Sequence, residues 1–253
     1  MSFEFIKWQN DDGVGRLTLN RPPLNILNIA MIRELSAALE EAARDDSLRV
    51  LVVRANGKLF SAGVDVADHT ADKVGEMIPL MDHACATLAH FPSPTLAVVH
   101  GHALGGGCEV ALCCDLILAA EGANFGQPEI KLATLAPVAA VVLQQLIGYR
   151  RAAEMLFTGE AIGAPEAARI GLISHAVPAA ELDATANDLI AKLSGLSAPV
   201  LRLCKQALRL GGDGWAGRSS IEKLYLEELM LTADAHEGLA AFMEKRPPNW
   251  THH

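Results

Sequence analysis

Little in the sequence ties it to a membrane, a nucleic acid, a disulfide framework or a metal. No window offers about 18 apolar residues free of charge, so a membrane-spanning helix is not expected. The start, M-S-F-E-F-I-K-W-Q-N, carries Glu4 and no sustained apolar run, so it does not read as a secretory leader, and a cytoplasmic location is expected. Basic residues are few: 21 Lys and Arg face 30 Asp and Glu, a formal net charge of −9. That balance argues against general nucleic-acid binding, which depends on neutralising phosphates. Five cysteines are an odd number, and Cys108, Cys113 and Cys114 fall in one apolar run. Buried reduced thiols are the expectation, since neither C-x-x-C nor H-E-x-x-H spacing occurs to hold a metal. Low-complexity linkers and fixed-period repeats are also missing.

What remains is an ordinary globular composition. A chain of 253 residues, 51% of them hydrophobic, can bury a sizeable core in one domain with a smaller appendage. F-E-F-I-K-W and V-G-R-L-T-L read as a hairpin across Asp11-Asp12-Gly13. Apolar residues at Ile29, Ile32, Leu35, Ala38, Leu39 and Ala42 then share one helical face. Strands are expected at residues 48–54 and 95–100, each followed by a glycine-containing loop and a helix. After Glu129 the pattern turns helical: 138–146, 151–157, 180–194, 199–210 and a long stretch from Trp215 to Lys245. This is α/β (α+β) organisation, with residues 1–195 as the core domain and 196–253 as a C-terminal helical region.

Two acidic residues stand out. Glu109 and Glu129 each follow a glycine-containing turn within G-H-A-L-G-G-G-C-E … F-G-Q-P-E-I, a strongly apolar stretch. A carboxylate in such surroundings is either paired or functional, because burying an isolated charge raises its pKa and costs free energy. F-S-A-G-V-D (residues 60–65) follows an apolar strand, and such a loop can leave backbone N–H groups aimed at a ligand oxygen. Gly105-Gly106-Gly107 lets the backbone approach a ligand closely, just where a helix N-terminus presents free donors. Together the two loops could form an oxyanion hole.

In order and spacing these motifs, together with L-N-R-P-P-L-N (residues 19–25), F-T-G-E-A-I-G-A-P-E-A-A-R-I-G-L-I (157–173) and A-F-M-E-K-R-P-P (241–248), resemble the crotonase superfamily of enoyl-CoA hydratases and isomerases over nearly the whole chain. The resemblance implies a spiral of ββα units with perpendicular sheets and a C-terminal helical region that builds homotrimers, often paired into hexamers. It implies an acyl-CoA thioester as substrate and no cofactor beyond the coenzyme A which that substrate carries. Val64 and Gly106 would supply the oxyanion N–H groups. Glu109 and Glu129 would hold the attacking water, the latter delivering a proton to Cα, with the two titrating as a coupled pair. Coenzyme A would lie along Ala62, Asp65 and Val66, with Arg21 and Lys58 nearby. Phe242 would line the same groove, and Lys245 would reach across a subunit interface. For Glu109 the bland alternative is a cap on its own helix, for Glu129 a surface loop, and for Asp65 a local turn bond.

One departure bears on the acyl group. Where many straight-chain hydratases of this family have G-x-x-P-G-x-G-G, this chain has A-T-L-A-P-V-A-A (residues 133–140). Losing glycines removes positive-φ freedom and adds side-chain carbon beside the acyl chain. The Pro-Val-Ala-Ala segment is similar to that of hydratases acting on cyclic dienoyl-CoA thioesters; repacking without altered specificity is the alternative. A double-bond isomerase needs chiefly the Glu129 type of residue and leaves Glu109 without evident use. A hydrolase or decarboxylase on the same scaffold is a weaker fit. A non-catalytic binding protein would be expected to have lost one of these groups.

Overall fold

The computed structural model describes residues 3–253, with the backbone alone at Asp213. Met1 and Ser2, with which the leader reading begins, lie outside the described residues. Strands β1 (Ile6–Asp11) and β2 (Val14–Leu19) pair antiparallel. Asp12 and Gly13 both take positive φ, 45° and 73°, as a two-residue hairpin turn requires. Asp11, expected in the turn, is the last residue of β1. Helix α1 (Ile29–Ala43) opens on Asn28, whose side chain accepts from the Met31 N–H at 3.0 Å. It buries Ile32, Leu35, Ala38, Leu39 and Ala42 as its periodicity predicts.

β3 (Val50–Ala55) leads through the 60–65 loop to α2 (Val74–Ala89), then β4 (Thr95–Val99), the two-residue β5 (Ala103–Leu104) and α3 (Gly106–Leu112). After β6 (Leu116–Ala120) and β7 (Asn124–Gly126) comes a tight turn of 3-10 helix, Pro128–Leu132. α4 (Pro137–Thr158) is broken at Gly148 (φ 75°, ψ 157°), in keeping with the two helical segments read from the sequence. β8 (Ile162–Gly163), α5 (Ala164–Arg169), β9 (His175–Val177), α6 (Leu182–Ser194) and α7 (Ala198–Leu210) follow. The stretch expected to be one long helix is α8 (Arg218–Glu227) and α9 (Ala233–Glu244), separated where Thr232 leaves the helical region (ψ 140°) and caps α9 through the Ala235 N–H. Among the described residues, no helix is long and apolar enough to cross a membrane.

The main sheet runs β1-β2-β3-β4-β6-β9, and β5-β7-β8 form a second, smaller sheet. Strand alternation sends the side chains of β3 to opposite faces: Leu51 and Val53 join the large core with α1, α2 and α3, while Val50 and Val52 pack with Leu182, Ala186 and Ile190 of α6. Burial on both faces explains why β3 reads as a continuous apolar run. An isolated bridge between Ser61 and Ala103 joins the 60–65 loop to the small sheet. Two loops far apart in sequence are thereby brought together.

The helical appendage docks back onto the sheet base through a buried cation. Lys205 of α7 lies 2.6 Å from the Asp115 carboxylate and donates to the Ser93 carbonyl at 3.1 Å. Asp115 also accepts from the Thr95 N–H and hydroxyl. Lys205 is the buried member of this pair and Asp115 the exposed one, so removing the carboxylate strands a buried cation, whereas replacing both leaves no orphan charge. Asp115→Ala is therefore expected to lower unfolding stability by about 3 kcal/mol in urea denaturation, and Lys205→Met/Asp115→Asn by less than half of that.

Candidate active site

A cavity of about 110 Å³ opens where the 60–65 loop, α2, α3, the 128–132 turn and the start of α4 meet. Most of its wall is apolar: Met77, Ile78 and Met81 come from α2, while Leu132, Leu135 and Val138 come from the segment on the other side. Glu109 and Glu129 both face this space, as do Asp82 and His69.

α3 starts at Gly106, so its first N–H groups have no partner within the helix. Ser61, fully buried, donates its hydroxyl to the Asn25 carbonyl at 2.7 Å and accepts from the Gly63 N–H at 3.1 Å. That pins the turn preceding Val64. Gly105 N–H bonds the Gly126 carbonyl, while among the described residues the Val64 and Gly106 N–H groups donate to no acceptor. The two are close neighbours: a Cβ on Gly106 would sit 2.6 Å from Val64 Cγ2 and 3.7 Å from Val64 N. Gly105, at φ 52°, lies between this loop and Glu129: a Cβ there would come 3.6 Å from Gly63 Cα and 2.5 Å from Glu129 Oε1. Any larger residue there displaces the carboxylate.

Glu109 is only 3% exposed. Its Oε1 accepts from the Ala139 N–H at 2.9 Å, and Ala139 is the third residue of α4. The N-cap of α4 is Ala136, which has no capping side chain. Glu109 is thus a cap supplied from another helix, rather than a cap on its own first turn. Burial pushes its carboxyl up to about 7, the α4 N–H groups opposing and Glu129 adding to the rise. Burial likewise raises Glu129, whose Oε2 is buried without a hydrogen-bond partner.

Of the expected coenzyme A residues, Ala62 and the exposed Val66 line the cavity. Asp65 caps a one-turn helix (Val66–Asp68) by accepting from the Ala67 N–H at 3.1 Å, a local turn bond. Arg21 approaches Asp65 at 3.7 Å and donates to the Ile26 carbonyl, away from the cavity wall. Lys58 is exposed beside the same loop, its N–H donating to the Pro23 carbonyl at 2.9 Å. Phe242, 85% exposed on α9, and Lys245 at that helix's left-handed C-cap do not line the cavity within one chain. His69, Asp82 and the α2 wall were not foreseen. The spacing of Met77, Ile78, Met81 and Asp82, one face of a helix, was the signal available.

The A-T-L-A-P-V-A-A segment behaves differently from its composition. Ala133 takes left-handed geometry (φ 55°, ψ 32°), so the turn is kept without a glycine. Pro137 occupies the first position of α4, where its missing N–H costs nothing.

A model of the enoyl-CoA hydratase/isomerase family matches residues 9–253. The chain is 39% identical over 250 residues to cyclohexa-1,5-dienecarbonyl-CoA hydratase of Thauera aromatica, covering 96% of this chain and 95% of that protein. It is 36% identical over 256 residues to the probable enoyl-CoA hydratase echA8 of Mycobacterium bovis, covering all of both. The solved enoyl-CoA hydratase of Bacillus anthracis superposes with a TM-score of 0.93 at 31% identity, over 99% of this chain and 100% of that one.

The raised Glu109 carboxyl makes stability depend on pH. The folded chain holds that proton up to about 7, whereas the unfolded chain releases it near 4.5, so this contribution is complete below the lower value and lost as pH rises through the window. Glu109→Gln keeps an acceptor for Ala139 and removes the titration. Relative to the parent, its stability is expected to gain about 3 kcal/mol between pH 4 and pH 9, read from denaturant midpoints at each pH.

Proposed function

The chain belongs to the enoyl-CoA hydratase/isomerase family, and we propose that it is a hydro-lyase adding water reversibly to the double bond of an α,β-unsaturated acyl-CoA thioester. One observation carries this: two carboxyl groups and two unpaired backbone N–H groups open on the same largely apolar cavity. Hydration calls for a proton acceptor at water, a proton donor at Cα and donors to the oxygen where enolate charge develops. In this proposal Val64 and Gly106 N–H donate to the thioester oxygen, and water lies between the glutamates. Glu109, as carboxylate, takes a proton from water while the water oxygen bonds to Cβ. Glu129 gives its proton to Cα. The pair ends with its proton on Glu109, the position its deeper burial favours, and a further water returns it to Glu129. An isomerase would leave Glu109 idle. No cofactor enters the scheme.

For the acyl group we propose a compact ring, a cyclohexadiene-carbonyl thioester. The name of the Thauera relative and the Leu132, Leu135 and Val138 wall facing Met77 and Ile78 support it. Coenzyme A would run out past Ala62, Asp65 and Val66 toward Arg21 and Lys58. We also propose a trimer or a pair of trimers, in which Phe242 and Lys245 of one subunit reach the site of the next. Trp215, Leu231 and Phe242 are 80%, 78% and 85% exposed on the C-terminal segment, large apolar side chains of the kind an interface covers.

Purified protein is expected to gain one water on cyclohexa-1,5-diene-1-carbonyl-CoA, read by mass, faster than on crotonyl-CoA. Faster turnover of crotonyl-CoA would assign a linear substrate, and no water on either would sink the hydratase reading. Glu129→Gln should lower kcat by at least about 1,000-fold with acyl-CoA affinity little changed. Light scattering after size exclusion is expected to give three or six times the 26.9 kDa chain mass, and a monomer would refute the assembly.

A further inference from the structure

Asp82 faces the cavity and takes no part in the scheme above. It stands on α2 one turn after Ile78 and directly after Met81. Met81 is buried and reaches the Gly106 backbone: a Cβ on Gly106 would lie 3.2 Å from its Cε. An acyl group whose carbonyl oxygen meets the Gly106 N–H therefore passes Met81, with Asp82 as the next residue of the wall. Asp82 itself is exposed, so it marks the rim of that wall and not its floor. The charge of the lining is one-sided. Asp82, Glu109 and Glu129 are acids, and among the described residues around the cavity there is no Lys or Arg. His69 is the single imidazole, its Nδ1 3.1 Å from the Asp65 carbonyl oxygen. The basic groups close to Asp82 in sequence are engaged elsewhere: His83 meets Glu40 of α1 at 2.8 Å, and Lys73 meets Asp68 at 3.0 Å. Among the described residues no side chain donates to the Asp82 carboxylate, which faces the cavity mouth without a counter-ion.

We propose that Asp82 is a specificity-determining residue that turns away acyl groups ending in a free carboxylate, so that this site takes uncharged acyl-CoA thioesters. The inference rests on the reading of the cavity as an acyl-CoA site and adds the charge class of the acyl group to it. The selection is a difference between two affinities. An apolar wall already disfavours a carboxylate, because it offers no donors to replace the water that the group gives up. A space of about 110 Å³ holds only a small acyl group, so the end of a longer chain lies at the rim. There the like charge of Asp82 adds repulsion that an uncharged chain does not feel. Solvent and salt screen an exposed charge, which holds this part of the discrimination to about 10-fold or less.

The test is titration calorimetry with two saturated thioesters, adipyl-CoA and 6-oxoheptanoyl-CoA, which share one length and differ in a terminal carboxylate against a methyl ketone. Neither can add water, so binding is read without turnover. The parent is expected to bind the ketone more tightly by at least about 10-fold. At low ionic strength Asp82→Asn should narrow that gap by about 5-fold, and the charge reversal Asp82→Lys should narrow it further. Added salt should narrow the gap in the parent and widen it in Asp82→Lys, a response that a merely structural role would not give. A gap that is the same in the parent and both folded variants overturns the proposal, as does a parent that binds the two thioesters alike. Failure of the ketone to bind would defeat the acyl-CoA reading itself, and the inference with it. A gap that moves as expected, in a protein that adds water to no enoyl-CoA, would defeat the hydratase reading and leave the inference standing.

Discussion

Two carboxyl groups that share one poorly hydrated cavity cannot both be ionised at low cost, and much of the site is arranged around that constraint. Glu109 is buried to 3% exposure, deep enough for desolvation to outweigh everything else acting on its carboxyl. The fold tempers the penalty by turning the N-terminus of α4 onto Glu109. That donor lies 30 residues from its glutamate in sequence.

The same arrangement ties the two sheets together. The 60–65 loop leaves the main sheet after β3, bridges to the small sheet through Ser61 and Ala103, and delivers Val64 beside Gly106. Gly105 bonds Gly126 of β7, two residues before the turn that carries Glu129. Donors and carboxylates are therefore fixed by backbone hydrogen bonds in the core, while the apolar wall is largely side chain and partly exposed at Leu132 and Leu135. That division lets the polar groups be rigid and the apolar surface variable.

Much of this was legible from residue order. The hairpin, α1 and the buried strands announce themselves by period, Glu109 and Glu129 by acids in apolar surroundings, and the 60–65 and 105–107 loops by their glycines, while Val64 and Gly106 as individual donors come from the family resemblance. Other features left weak marks. α2 has Lys73 as its N-cap, with no side-chain capping bond, and carries Pro79 inside it, so its contribution to the cavity wall is obscured in the sequence. The end of α8 has no such signal either, because the residues around Glu228 are good helix formers and only Thr232 stops the run. Ala133 in left-handed geometry is invisible to a rule that looks for glycine. His69 sits in a polar stretch, D-V-A-D-H-T, where nothing distinguishes a cavity residue from a solvated one. Capping between helices, as Glu109 does for α4, is a tertiary fact with no local pattern at all.

The donor to Glu109 belongs to the same stretch that walls the cavity. Ala139 lies in A-T-L-A-P-V-A-A, two residues past the proline that starts α4 and one past Val138 of the cavity wall. Any change of shape in that wall shifts the N–H that steadies a buried acid, and with it the acid's strength. The outline of the cavity and the proton affinity of its deepest group are thus linked traits in this scaffold.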